Sequence, residues 1–219
     1  MNKVITTLCI IAFISFTAFA PAQDHIKGNG KVTSETRAVN GFNKVSLAGS
    51  IDLIVDQTGK EGLVVETDEN LQNVIITEVE NGTLKIHVKH DVSVSPTKMI
   101  VHLSCANLNA INSGGSGDVS FKSKLTGDDL KISNGGSGDY KLDVAVKHLD
   151  INSGGSGDFV IKGNADTFDF SGAGSGDVNA KDLTSANAKI VTAGSGDVKL
   201  RKGTNAKVSS VGSGDVTYE

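Results

Sequence analysis

The octapeptide Ile111-Asn112-Ser113-Gly114-Gly115-Ser116-Gly117-Asp118 returns almost unchanged as ISNGGSGD at 132–139 and INSGGSGD at 151–158. Its last four residues, Gly-Ser-Gly-Asp, recur at 174–177, 194–197 and 212–215, so the steps between the six aspartates are 21, 19, 19, 20 and 18 residues. A repeat of this length cannot bury its own apolar face. It does so only by stacking on its neighbours, and a period near 20 with a glycine corner in each copy therefore marks a solenoid.

Alignment on the aspartate separates inward from outward positions. Seven residues before it stand Ile111, Ile132, Ile151, Phe170, Ile190 and Val208. One residue after it stand Val119, Tyr140, Phe159, Val178, Val198 and Val216, and three after it Phe121, Leu142, Ile161, Ala180, Leu200 and Tyr218. Apolar residues at alternate positions, mostly β-branched or aromatic, read as strands. Each coil is expected to hold two short strands, one on either side of the corner, with like residues stacked about 4.8 Å apart in parallel register. Lys131, Asn152, Lys189 and Lys207 then face solvent. The two glycines of each corner suit either a positive-φ turn or a close approach between coils. The fold class is all-β, a parallel β-solenoid with about 20 residues per coil.

Gly49-Ser50-Ile51-Asp52 is a worn copy of the corner, with Val45, Leu53 and Val55 in the same inward columns. Between it and Asp118, residues 62–66, 74–76, 83–88 and 99–103 read as strands, with Asn81-Gly82 as a hairpin turn. Residues 41–105 are expected to form irregular first coils and an N-terminal cap, because an uncapped solenoid end is an unpaired strand edge. The Gly-Ser-Gly-Asp coils occupy 106–219.

Lys3, the apolar run Val4 to Phe19 and the small residues Ala18, Ala20 and Ala22 read as a signal peptide, residues 1–22, cleaved after Ala22. The run is short for a membrane span of about 20 residues, and no second such run follows, so the mature form is expected to have no transmembrane span. Export places it in the periplasm, on the outer-membrane surface or outside the cell. Residues 23–40 are polar and are expected to be a flexible leader. Cleavage removes Cys9 and leaves Cys105 alone, in an alternating segment that implies a buried, inert thiol. Only four residues follow Asp215, so no C-terminal translocation barrel is expected. The net charge of −4 and the absence of a basic run argue against nucleic acid as a partner.

The candidate site is the corner itself: Asp118, Asp139, Asp158, Asp177, Asp197 and Asp215 with Ser116, Ser137, Ser156, Ser175, Ser195 and Ser213. Stacked carboxylates repel, and three readings answer that. The aspartates accept backbone N–H bonds inside their own turns, or they line up Ca2+ ions, or they contact a ligand directly. Calcium repeats of the Gly-Gly-x-Gly-x-Asp type have a nine-residue period and one more residue before the aspartate, so they match poorly. Catalysis has thin support, because a nucleophile or a glycosidase acid pair is a unique, asymmetric arrangement and a uniform ladder is neither. His87 and His90, three apart on a strand, are expected on opposite faces and not to share a metal; His102 and His148 are isolated. There is no Trp, and the mature aromatics fall mostly in inward columns, so an aromatic carbohydrate platform is not expected.

The segment Ala38-Val39-Asn40-Gly41-Phe42-Asn43-Lys44-Val45 with Gly49-Ser50-Ile51-Asp52-Leu53, the strand Asn81-Gly82-Thr83-Leu84-Lys85-Ile86 and the Gly-Ser-Gly-Asp coils together resemble the putative auto-transporter adhesin, head GIN domain family. The resemblance covers about residues 41–219. It implies a single-stranded β-helix of the pectate-lyase type, export in Bacteroidetes-like bacteria and an adhesin role, and it brings no catalytic residues. The expectation is an exported, non-enzymatic adhesion or binding module of the cell envelope, without a cofactor unless Ca2+ fills the ladder. Its partners would be a polysaccharide or an envelope or matrix protein. The alternatives are a polysaccharide-degrading enzyme of the pectate-lyase type and a structural protein that self-associates through its C-terminal coil.

Overall fold

The computed structural model describes residues 24–219; the signal-peptide segment lies outside them. In chain order the strands are β1 (Asp24–Lys27), β2 (Val32–Arg37), β3 (Lys44–Leu47), β4 (Asp52–Gln57) and β5 (Gly62–Asp68), followed by a 3-10 turn, Glu69–Val74. Then come β6 (Ile75–Glu80), β7 (Thr83–Val88), β8 (Val92–Ser95) and β9 (Met99–Cys105). The repeat region supplies β10 (Ala110–Ser113), β11 (Val119–Phe121), β12 (Leu125–Asn134), β13 (Tyr140–Ser153), β14 (Phe159–Gly174), β15 (Val178–Gly194), β16 (Val198–Leu200), β17 (Asn205–Gly212) and β18 (Val216–Tyr218).

The chain is a parallel β-solenoid. Before the corner, Val45, Ile111, Ile132, Ile151, Phe170, Ile190 and Val208 stack in register. After it, Leu53, Val119, Tyr140, Phe159, Val178, Val198 and Val216 do the same. The worn corner at Asp52 is thus a true first rung. Buried columns fill the interior, with Tyr140 stacked on Phe159 at 4.5 Å and Phe170 edge-on to Phe159 at 6.1 Å. Burial pushes the Cys105 thiol up to about 11, with Asp56 and Glu61 adding to the shift, as an inert core thiol requires.

The central coils carry more strand than the expected pair. In β13 the inward residues are Tyr140, Leu142, Val144 and Val146, then Leu149, Ile151 and Ser153. Alternation skips a beat at Lys147-His148, both exposed, where the chain turns onto another face without leaving the ladder. The extra residue in the step from Asp177 to Asp197 is absorbed as a register shift opposite Val160 and Lys162.

The N-terminal end is closed. β7 pairs parallel to β3 and turns back through Asn81 and Gly82, both at positive φ, into antiparallel β6. On the other face β9 pairs parallel to β4, β5 antiparallel to β9, and β2 antiparallel to β5. The segment expected to be a flexible leader therefore supplies two strands: β2 extends this sheet, and β1 pairs with β8. Two polar groups fasten it. Arg37 donates to the Ile75 carbonyl and, at 2.6 Å, to the Gln72 carbonyl, lacing β2 across the end. Buried Asp68 accepts from the Gly30 and Thr97 N–H groups, each at 2.7 Å. Alternation could not reveal this segment, because β1 and β2 stay largely exposed and are held by polar contacts.

Candidate functional site

The corner places its two glycines where only glycine fits. The Cβ of each repeat residue would point at the coil beneath. On Gly136 it would overlap the Gly115 carbonyl, and on Gly138 the Gly117 carbonyl, and the same clash recurs up both columns to Gly212 and Gly214. Close approach, of the two uses expected for these glycines, is the one common to every coil. The first rung has Ile51 at the second glycine position because no earlier corner lies beneath it.

The aspartates bond between coils and not, as expected, inside their own turns. Each Oδ1 accepts the backbone N–H of the next aspartate in the row: Asp52 from Asp118, Asp118 from Asp139, and so on to Asp197 from Asp215, at 2.8–3.0 Å. The row has seven rungs, and Asp52 is a member that sequence reasoning placed in the worn corner but left out of the site. Unit charges about 5 Å apart in water repel by about 1 kcal/mol, and a hydrogen bond to an ionised acceptor returns about 1.5–3 kcal/mol. The hydrogen bond on each rung therefore offsets the repulsion between neighbouring carboxylates. Among the described residues no three His, Cys, Asp or Glu side chains are arranged to hold a metal ion. Ser116, Ser137, Ser156, Ser175, Ser195 and Ser213 stand exposed beside the aspartates, forming a row of hydroxyls.

On the side of the corner before the glycines, an open groove of about 800 Å3 runs along the solenoid axis. One wall is the column Ser46, Asn112, Ser133, Asn152, Ser171 and Val191. Its floor is the column Ala48, Gly114, Gly135, Gly154, Ala173 and Ala193, so the exposed surface there is backbone and methyl groups. Six rungs at about 4.8 Å spacing give a length of about 24 Å. Both columns lie four to six residues before each aspartate, and their small side chains carry no charge or catalytic group to mark them in the sequence.

The remaining ionisable groups belong to the walls and the cap. Lys124 and Lys162 flank Asp143 at 3.7 and 3.3 Å, and Lys131 pairs with Asp150 at 3.1 Å. Lys98 first and His102 second hold the Glu66 carboxyl below its usual range. His87 and His90 do not diverge: β7 ends at Val88, and the turn that follows brings the two rings to 5.5 Å, with His87 3.8 Å from Glu78. Strand geometry gave the wrong answer because only His87 is on the strand. No helix of the described residues is long and apolar enough to cross a membrane.

Residues 41–219 match the family described as putative auto-transporter adhesin, head GIN domain. The fold is similar to that of a putative adhesin from Bacteroides fragilis, at 24% identity and a TM-score of 0.78, covering 88% of this chain and 99% of that one. A putative adhesin from Parabacteroides distasonis is 27% identical with a TM-score of 0.67, covering 90% and 100%. A putative lipid binding protein from the same species is 24% identical with a TM-score of 0.69, also covering 90% and 100%. No curated protein matches the chain.

Proposed function

The chain belongs to the putative auto-transporter adhesin, head GIN domain family, and from that premise we propose that it is an exported, non-enzymatic binding module of the cell envelope. Its ligand is an extended polymer, a polysaccharide or an envelope or matrix protein segment, lying along the axial groove. The carrying observation is the groove itself, where a bare floor recurs over six coils and a small polar wall over five of them, Val191 standing on the sixth. A ligand that meets equivalent hydroxyl, amide and backbone groups on each rung gains affinity by repetition, although each contact is weak. The acids of the neighbouring corner are engaged in the ladder one after another, which supports binding over hydrolysis. The alanine and glycine floor also suits an acyl chain, and one structural neighbour is described as a putative lipid binding protein.

The test is a thermal-shift screen of the mature chain against envelope polysaccharides, phospholipid vesicles and divalent cations, because a ligand of the folded state must raise Tm. A rise with a polysaccharide class and no release of new chain ends is the expected result. A rise with vesicles alone would move the ligand to lipid, a rise with Ca2+ reversed by chelator would move the site to the aspartates, and chain cleavage would make the protein an enzyme.

A further inference from the structure

The pair Asn-Gly occurs four times in the chain, at 29–30, 40–41, 81–82 and 134–135. It is the context in which an asparagine is most open to attack by its own backbone, because glycine has no Cβ to shield the nitrogen that follows. That nitrogen reaches the asparagine Cγ only when its N–H is not held elsewhere. Three of the four are held. The Gly30 N–H donates to Asp68 Oδ1 at 2.7 Å, the Gly41 N–H to Glu61 Oε2 at 2.9 Å and the Gly135 N–H to the Ser113 carbonyl at 2.8 Å. Asn134 is moreover buried, and its Oδ1 accepts from the Gly136 N–H at 3.0 Å. Asn81-Gly82 differs on both counts. Asn81 is exposed, and among the described residues neither its side chain nor the Gly82 N–H has a hydrogen-bond partner. The turn is the reason: the ladder closes between the flanking residues Glu80 and Thr83 and leaves the N–H groups of the two central residues outside it.

We propose that Asn81 is a self-modification site, converted by water to isoaspartate, and that the change loosens the cap from the first coil. Hydroxide takes the Gly82 N–H proton, and the nitrogen attacks Asn81 Cγ. The N–Cγ bond forms, the Cγ–Nδ2 bond breaks, and ammonia leaves with a proton from water, giving a cyclic imide. A second water opens the imide at the main-chain carbonyl of residue 81. The chain then runs through Cβ and Cγ, so the turn gains one backbone atom and one negative charge. A two-residue hairpin has no slack for that atom. The Gly82 carbonyl accepts from the Asn43 N–H at 3.0 Å and the Lys44 N–H at 3.3 Å, and these residues lead into β3, the first rung before the corner. Displacing that carbonyl frees both donors. The inference is independent of what occupies the groove.

The mature chain is held folded at mildly alkaline pH, and isoaspartate at each position is followed by peptide mapping. Asn81 should convert roughly tenfold faster or more than Asn29, Asn40 or Asn134, since each of those requires a hydrogen bond to be broken first. In urea those bonds are gone, and the four rates should converge. Glu61→Ala frees the Gly41 N–H and should raise conversion of Asn40 in the folded chain by about tenfold, leaving Asn81 as it was. Hydrogen exchange at the Asn43 and Lys44 amides should quicken as the native chain ages. It should stay slow in Asn81→Gly, which keeps a Gly-Gly turn and removes the reacting amide. No conversion at Asn81, equal or faster conversion at another of the four in the folded chain, or a preference for Asn81 that persists in urea would each overturn the inference. So would an unchanged Asn40 in folded Glu61→Ala, or unaltered exchange at Asn43 and Lys44 once Asn81 has converted.

Discussion

Adjacent glycines in one corner have opposite tolerances, and the difference is a direct consequence of where a Cβ would point. Gly136→Ala drives a methyl into the Gly115 carbonyl, which belongs to another rigid coil. Gly135→Ala, one residue earlier, meets nothing nearer than the Ser113 carbonyl at 3.9 Å. Urea unfolding should show a loss of at least ~3 kcal/mol for the first and a change within about 1 kcal/mol, if anything stabilising, for the second. The sequence marks both residues as glycine and cannot tell them apart, because the distinction lies in the coil below. Asp68 contributes to the pH dependence of stability. Burial pushes its carboxyl up, but N–H donors at Thr97, Gly30 and Lys98 and the Thr97 hydroxyl outweigh that and hold it below its ordinary 3.8. With the folded value below the unfolded one, its contribution is complete above 3.8 and is lost as pH falls through the lowered value. Stability of the native chain should therefore drop below that pH more steeply than stability of Asp68→Asn, as followed by unfolding at a series of acid pH values. Parallel acid limbs for the two proteins would assign the pH dependence elsewhere.

Among the elements, the repeat strands and the cap strands β5, β6, β7 and β9 with the Asn81-Gly82 turn were readable, and β1 and β2 were not. Period and alternation place Ile132, Tyr140 and Leu142 inside, and all three are buried. The same reasoning passes over β1 and β2, which lack a buried face, and over the Lys147-His148 corner, where two exposed residues in succession look like the end of a strand. It misplaces His90 because a turn, with Asp91 at a φ of 62°, follows β7. What holds β1 and β2 against the cap is polar and long-range, so no local pattern records it. Arg37 is its measurable centre: Arg37→Ala leaves the Ile75 and Gln72 carbonyls without their donor. The expected cost in chemical denaturation is about 1–3 kcal/mol. Arg37→Lys should recover only part of it, since a single ammonium cannot span two carbonyls as the guanidinium fork does. An Arg37→Ala protein as stable as the native one would show that β2 docks without the bridge.

In the molecule as a whole, one short repeat sets both the shape and the proposed activity. The corner glycines bring coils together, the aspartates tie each corner to the next, and the residues just before them are left small enough to open a groove along the axis. The groove was present in the sequence as columns of Ser, Asn, Gly and Ala, but small residues carry no chemical signal until the coils are stacked. The comparison of greatest weight is therefore between the native chain and a chain whose groove is blocked at one rung. Ala173 is exposed on the groove floor, on the fifth of its six rungs, so Ala173→Arg fills the groove there without entering the core. Calorimetric titration with the polysaccharide that gives the largest rise in Tm should show at least tenfold weaker binding to Ala173→Arg, with the unfolding temperature of the free protein unchanged. Equal affinity for the two proteins would contradict the account, since the ligand would then be bound somewhere other than along the axial groove.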